Sequence, residues 1–239
     1  MRIGSAVLLH KQCCVQSYGW NCFRPLGQLQ GVLDSLEEYH CDEVAIIRPV
    51  RQADSIEFLK KDVEIMRSLN IMTPISFGGG IRSLEHLNLL KDLPIERLVF
   101  SSAFLEGNTE LITSAKNLFG HQAIQCLLPI MKKNNMVYVY HSSKSRYIPL
   151  SEVDIGVINE LANEIVLVDL LHEGLKNQFD WSLLDMMPFL NDKIIISGGV
   201  GKETLRCARD REVASVLIDN KVLHQEYSIS GYKHATVLS

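Results

Sequence analysis

The chain has 239 residues, of which 46% are hydrophobic and 22% are charged, and its formal net charge at pH 7 is −4. This length and hydrophobic content suit one large α/β domain or two small ones. A nucleic-acid binder of broad specificity is usually basic, and no apolar run approaches the roughly 18 residues that cross a bilayer. We therefore predict a globular protein with no nucleic-acid and no membrane partner.

The amino terminus and the cysteines indicate a cytoplasmic location. Residues 1–9 are apolar but lack a basic region and a cleavage site, so we interpret them as a buried strand and not as a signal peptide. The six cysteines show no Cys-x-x-Cys spacing, which is typical of reduced thiols in a chain of this length. Adjacent Cys13 and Cys14 are poorly placed to bind one ion, so we expect no metal site and no cofactor.

Eight short runs rich in Val, Ile and Leu alternate with amphipathic stretches, which predict helices near 54–69, 83–91 and 109–118 with Asp54 and Ser83 as N-caps. The runs lack polar alternation, as strands covered on both faces do. The competing doubly wound sheet usually has Gly-x-Gly-x-x-Gly after its first strand, where this chain has Lys11-Gln12-Cys13-Cys14. We predict a single α/β domain over 1–239, a (β/α)8 TIM barrel, with strands at 2–9, 43–48, 73–77, 97–101, 123–129, 164–169, 193–197 and 214–219.

Two glycine-rich segments follow predicted strands about half a chain apart. They read Ser76-Phe77-Gly78-Gly79-Gly80-Ile81-Arg82-Ser83 and Ile196-Ser197-Gly198-Gly199-Val200-Gly201-Lys202-Glu203. Glycines at a strand end, beside the free N–H groups of a starting helix, make an anion cradle. Aligning 73–107 with 192–226 pairs the two motifs and then 98–101 with 216–219, which predicts a half-barrel repeat. The alternative is that the glycines serve only strand-to-helix turns.

The segment from about 10 to 27 is a long first loop, which Pro25-Leu26-Gly27 closes. We consider two interpretations of this loop: it is a lid over the top of the barrel, or it is an ordinary surface loop.

The order of these motifs is similar to that of the cyclase subunit of imidazole glycerol phosphate synthase, a barrel family of histidine biosynthesis. The resemblance runs nearly end to end and rests on Arg2-Ile3, Asp42-Glu43-Val44, Phe77-Gly78-Gly79-Gly80-Ile81, Phe119-Gly120-His121-Gln122-Ala123, Asn163-Glu164-Ile165 and Ser197-Gly198-Gly199-Val200-Gly201-Lys202. The ending at 231–238 most resembles a side branch of paralogues from surface-polysaccharide gene sets. That resemblance implies passage of ammonia from a glutaminase to a sugar amidotransferase.

At the top of the barrel, the resemblance implies two aspartates that act as general acid and base. Here those positions are Leu8 and Pro129, which cannot carry a proton, so we name no catalytic residue. A family aspartate falls on Arg48, a lysine of the first loop on Gln16, and an Asp-Gly turn on Glu173-Gly174. Four other polar residues offer replacement chemistry, although we expect them to be solvated loop residues: His10, Lys11, Asp169 and His172.

Two phosphate sites are carried over from the family by position. The first comprises Gly80, Ser101 and Ser102, and the second comprises Gly174, Gly199, Asn220 and Lys221. Hydroxyl and N–H groups are suitable donors to phosphate oxygens. Lys221 replaces a small residue of the family, so it either tightens anion binding or fills the site.

At the bottom of the barrel, the family has a ring of four alternating charges that gates an ammonia tunnel. Those positions fall on Arg2, Glu43, Arg97 and Glu164, where only Arg97 differs, replacing a lysine. Compensating charges satisfy one another in a narrow mouth, although a stabilising plug is an alternative interpretation. Glu96 corresponds to a residue that contacts the glutaminase. An apolar interior suits neutral ammonia, and we expect Val7, Val99 and Leu167 to line it.

Three functions follow from the resemblance. The leading hypothesis is the barrel subunit of a glutamine amidotransferase complex, which binds a glutaminase below and passes ammonia to a phosphorylated or nucleotide-sugar acceptor, or to a sugar amidotransferase. The alternatives are the complete lyase reaction of histidine biosynthesis, against which Leu8 and Pro129 count, and a non-catalytic scaffold.

Overall fold

The computed structural model describes residues 1–18, 22–50, 54–219, 229 and 233. Within these residues there are twelve strands. They are β1 (Arg2–His10), β2 (Cys13–Tyr18), β3 (Cys22–Gly27), β4 (Val44–Ile47), β5 (Ile75–Gly78), β6 (Arg97–Phe100), β7 (Ile124–Lys133), β8 (Met136–His141), β9 (Arg146–Pro149), β10 (Glu164–Asp169), β11 (Ile194–Ser197) and β12 (Ser215–Asp219).

The helices lie between the strands. They are α1 (Leu29–Glu38), α2 (Ile56–Arg67), α3 (Leu84–Leu90), α4 (Ser102–Leu105), α5 (Thr109–Phe119), α6 (Ile155–Leu161), α7 (Trp181–Asp185) and α8 (Lys202–Asp210). Short 3-10 turns precede β7, α6 and β11, at His121–Ala123, Leu150–Glu152 and Asn191–Lys193. No helix in the described part of the chain is long and apolar enough to cross a membrane.

Eight parallel strands close into a barrel in the order β1-β4-β5-β6-β7-β10-β11-β12, and β12 pairs back with β1. These are the eight strands that the sequence predicts, and each begins within two residues of its predicted start. The predicted (β/α)8 barrel is therefore confirmed. The N-terminal ends of its strands form the lower mouth, and the C-terminal ends and their loops form the upper face.

Two antiparallel hairpins extend this barrel. β2 pairs with the end of β1 and with β3, so the described part of the first loop is a hairpin. β8 pairs with an extension of β7 and with β9. Both hairpins turn through two residues of positive φ, Lys11-Gln12 (49° and 67°) and Asn134-Asn135 (51° and 60°), as type I′ turns do. Lys-Gln is not a usual pair for such a turn, which explains why the first hairpin was not predicted.

The barrel strands are covered on both faces, and the two faces alternate along each strand. An inner cluster includes Val99 and Val166, whereas Val7 and Leu167 pack in the outer layer beneath the helices. The expectation that Val7 and Leu167 line the interior is therefore wrong, and that for Val99 is correct. In an unbroken apolar run, composition does not show which alternate set faces inward.

Candidate functional site

Four charged side chains meet at the lower mouth. Arg2 reaches both glutamates, with its Nη2 atom 2.5 Å from Glu164 Oε1 and its Nε atom 3.1 Å from Glu43 Oε2. Arg97 also reaches both, with Nη1 3.5 Å from Glu43 Oε2 and Nε 3.8 Å from Glu164 Oε2. The four side chains thus form a closed circuit of alternating charge, which we call the lower ring.

The carboxylates of the lower ring are its most buried members. The side chain of Glu43 is 2% exposed and that of Glu164 is 10% exposed. Ser215 Oγ donates a hydrogen bond to Glu43, and Gln125 Nε2 donates one to Glu164 at 2.9 Å. Burial opposes the charge on Arg2, but the charges of Glu43 and Glu164 and the hydrogen bond from Arg2 to Glu164 outweigh it and raise the pKa of Arg2.

Gly4 makes room for the lower ring. A Cβ atom at this position would lie 2.6 Å from both Glu43 Cγ and the Glu43 carbonyl oxygen. Atoms do not approach so closely, so only glycine lets the Glu43 side chain pass. Gly4, Gln125 and Ser215 were not predicted, because none of them is charged and no motif contains them.

Glu96 lies beside the lower ring, one residue before Arg97. Its side-chain Oε2 accepts a hydrogen bond from the backbone N–H of Ile75 at 2.5 Å, although the residue as a whole is exposed. The fold therefore uses one oxygen of this carboxylate to join the starts of β5 and β6.

Two adjoining cavities open on the upper face. The first cavity, of about 110 Å³, is lined by the predicted phosphate-site residues Gly80, Ser101 and Ser102. The second, of about 90 Å³, is lined by Gly174 and Gly199. The two share a wall of Leu8, Ser17, Ile47, Val99 and Leu127. The other two predicted members of the second site, Asn220 and Lys221, lie outside the described residues.

Arg48 holds the glycine loop of the first cavity. Its buried guanidinium binds Asp62 through Nε at 2.6 Å and both oxygens of Asp54 at 3.0 and 3.1 Å. Its Nη1 also donates to the Gly79 carbonyl at 3.0 Å. Burial raises the pKa of Asp62, and the Arg48 charge and hydrogen bond work in the opposite direction. Asp54, which the sequence predicts as the N-cap of α2, is thus an ion-pair partner instead. The N-cap of α2 is Ser55.

Gly80 is required by its backbone and by its neighbours. Its φ is +82°, and an added Cβ atom would lie 2.8 Å from Asp54 Oδ2 and 2.9 Å from Arg48 Nη1. The Asp54 and Arg48 side chains therefore pack directly against this backbone and leave no room for a side chain at position 80.

The chain is similar to known proteins over most of its length. A family model described as "Histidine biosynthesis protein" matches residues 3–228. The chain belongs to this family. It is 28% identical over 204 residues to "Putative imidazole glycerol phosphate synthase subunit hisF2" of Campylobacter jejuni, covering 84% of this chain and 80% of the relative. A protein of the same name from Vibrio vulnificus is 23% identical over 207 residues, covering 84% and 75%.

A third relative has a similar name. "Imidazole glycerol phosphate synthase subunit HisF" of Helicobacter hepaticus is 31% identical over 150 residues, which are 58% of this chain and 57% of the relative. The resemblance to the cyclase subunit of imidazole glycerol phosphate synthase is thereby confirmed, and the chain is a divergent member of this histidine biosynthesis family.

The two positions that the resemblance maps to catalytic aspartates lie at the upper face. Leu8 and Pro129 both line the first cavity, so the two positions face the site but neither side chain can transfer a proton. Gln16, which the resemblance maps to a lysine of the family, is buried on β2. If the resemblance maps these positions correctly, the first cavity has no general acid and base at Leu8 and Pro129.

The expectation of solvated loop residues is correct for Lys11, which is exposed, but wrong for Asp169, which is 1% exposed. Asp169 ends β10 and accepts hydrogen bonds from the N–H of Asp180 at 2.9 Å and from His172 Nδ1 at 2.7 Å. Val168 faces the interior of the barrel, so its neighbour Asp169 faces away from it. Through its two hydrogen bonds, Asp169 holds the loop that follows β10. Neither Asp169 nor His172 is among the described lining residues of the two cavities.

The buried cysteines are unreactive thiols. Burial, the largest cause in each case, raises the pKa of Cys14 and of Cys41 to about 12, and it raises the pKa of Cys126 well above its ordinary value. Among the described residues, no group of three His, Cys, Asp or Glu side chains is arranged to hold a metal ion.

Proposed function

We propose that the chain is the barrel subunit of a glutamine amidotransferase complex. A glutaminase binds the lower face, ammonia passes through the lower ring, and the barrel delivers it to a phosphorylated acceptor or a further enzyme at the upper face. The closed circuit of Arg2, Glu43, Arg97 and Glu164 is the observation that carries this proposal, because paired charges that leave the interior apolar suit a gate.

The interior above the lower ring supports passage of a neutral molecule. Ala45, Val99, Leu127, Val166 and Leu217 form one apolar cluster there. Ammonium would lose its hydration in such surroundings without a compensating partner, whereas ammonia loses little.

The first cavity supports a phosphorylated acceptor. Ser101 and Ser102 bring hydroxyl groups to it beside Gly80. The Ser101 Oγ atom is buried and has no hydrogen-bond partner among the described residues, so a bound phosphate oxygen would satisfy it. Leu8 and Pro129 argue against the complete lyase reaction, because loss of general acid–base catalysis costs about 10²–10⁴-fold in rate.

The test is glutamine hydrolysis by a glutaminase encoded beside this gene, measured with and without the chain. We expect the chain to increase the rate of glutamine hydrolysis. Arg97→Met opens the lower ring and should remove most of this stimulation, whereas Arg97→Lys keeps the charge and should retain it.

Glu57→Gln is the matched control, since Glu57 forms an exposed ion pair with Lys60 on α2, away from the lower ring. Thermal unfolding of each variant separates loss of the gate from loss of the fold. Absence of stimulation by the folded wild-type chain would contradict the proposal, as would full stimulation by folded Arg97→Met.

A further inference from the structure

The charges of the lower ring do not explain one buried polar residue of the barrel interior. Gln125 is 1% exposed and lies on β7, a strand that is otherwise apolar as far as Met131. Residues two apart on a strand face the same side, and Leu127 belongs to the inner cluster, so Gln125 also faces the interior. Burying an amide is unfavourable unless its polar atoms find partners.

Gln125 lies at the boundary between the lower ring and the apolar interior. It pairs with Glu164 of β10 on one side and with Val99 of β6 on the other. Glu164 is a member of the lower ring, whereas Val99 belongs to the inner cluster. A small molecule that has passed the charges of the ring is therefore beside the Gln125 amide before it reaches apolar surroundings.

The contact with Glu164 fixes the orientation of this amide. Gln125 Nε2 donates a hydrogen bond to Glu164 Oε2 at 2.9 Å. An ionised carboxylate only accepts hydrogen bonds, so the NH2 group of the amide must face it, and not the carbonyl oxygen. No donor among the described residues forms a hydrogen bond with that oxygen, Oε1. The amide thus has one unused acceptor.

We propose that Gln125 binds ammonia as it leaves the lower ring, through a hydrogen bond from ammonia to Oε1. Ammonia has three N–H donors, and the nearby side chains of Val99, Leu127 and Val166 offer them no acceptor. A neutral carbonyl binds ammonia without fixing a positive charge, whereas a carboxylate at this point would favour ammonium. This inference rests on the proposed function and adds to it the first contact of ammonia above the ring.

The side-chain amide signals in 1H–15N NMR spectra of the chain alone test the inference. Gln125→Met replaces the amide with an unbranched apolar side chain, so the signal that this variant lacks is that of Gln125. Titration with ammonia at about pH 9 should shift the Gln125 signal in a saturable way, because a hydrogen bond to Oε1 changes the electron density of the amide. The signal of exposed Gln122 should not shift, and potassium chloride at the same ionic strength should shift neither.

If Gln125 only braces Glu164, its signal will not respond to ammonia. No shift, or an equal shift with potassium chloride, would therefore overturn the inference. Circular dichroism verifies that Gln125→Met is folded. If that variant does not fold, through-bond correlations in the labelled wild-type chain identify the Gln125 signal instead.

Glutaminase stimulation by the same wild-type preparation is a separate measurement. Its absence would contradict the proposed function, whatever the titration with ammonia shows. Stimulation without an ammonia-dependent shift would remove only the role of Gln125.

Discussion

At the scale of single residues, the lower mouth depends on an absent side chain. Glu43 is nearly inaccessible to solvent, and its stem crosses the backbone of β1 at Gly4. Close packing of this kind leaves no space for even one methyl group. The charge that both arginines share is thus positioned by a residue without chemistry of its own.

Gly4→Ala should destabilise the protein by about 1–3 kcal/mol, the usual cost of overpacking a core. The new Cβ atom must displace Glu43 or the Leu217 side chain, which it would approach to 2.9 Å. Urea denaturation gives the free energy of unfolding.

Gly31→Ala is the control for this substitution. Gly31 lies in α1, and an added Cβ atom meets nothing within 4 Å. Alanine there should be neutral or stabilising by up to about 1 kcal/mol, because glycine is unfavourable inside a helix. Equal stability of Gly4→Ala and the wild type would refute the close packing at Gly4.

At the scale of elements, the hairpin of β8 and β9 brings a buried histidine to the edge of the first cavity. The side chain of His141, the last residue of β8, is 1% exposed. Its Nδ1 atom lies 3.2 Å from Ser143 Oγ, and its Nε2 atom lies 3.7 Å from Glu106 Oε1. Burial lowers the pKa of His141, Glu106 acts in the opposite direction, and Lys144 and Arg146 lower it further.

Acidification should therefore destabilise the hairpin. Below the ordinary histidine pKa of 6.5, the unfolded chain binds a proton that the folded chain takes up only at lower pH. The free energy of unfolding then decreases as the pH falls through this value. Burial also lowers the pKa of His86, so both histidines contribute to this pH dependence. His141→Gln should therefore remove part of the decrease in the free energy of unfolding between pH 7.5 and 5.5. Urea denaturation at each pH gives the free energy of unfolding. If its dependence on pH were the same in His141→Gln as in the wild type, His141 would not be a group responsible.

The elements also show what the sequence could and could not predict. Strands covered on both faces appear as apolar runs, so all eight barrel strands were found, whereas the inward phase of β1 was misplaced at Val7. The sequence does contain a signal for the second hairpin, because asparagine tolerates the positive φ of the Asn134-Asn135 turn. No hairpin was predicted there. The lower ring was recognised through a family resemblance, and its neutral partners Gln125 and Ser215 became visible only through their hydrogen bonds.

At the scale of the whole molecule, the lower ring joins elements from both halves of the barrel. Arg2 and Arg97 belong to β1 and β6, Glu164 begins β10, and Glu43 directly precedes β4. Both arginines share the same two carboxylates. The ring is therefore a single energetic unit that spans the barrel.

A double-mutant cycle of Arg2→Met and Arg97→Met tests this unity. Each single variant leaves every carboxylate with one arginine, and the double variant leaves both without any. The double variant should be less stable than the sum of the single effects predicts, by about 0.5–3 kcal/mol. Arg2→Met combined with Glu57→Gln, a distant exposed change, should be additive within about 0.5 kcal/mol. Additive behaviour of the two arginines would show that they act independently.

Two small side chains of the interior stand next to each other, since Ala6 on β1 lies beside Ala45 on β4. The opposite wall is built from larger groups, including Leu127 on β7 and Val166 on β10. The passage that the proposed function requires would therefore follow the β1–β4 wall. We expect leucine at position 6 or 45 to narrow such a passage more than an exchange among the branched residues opposite.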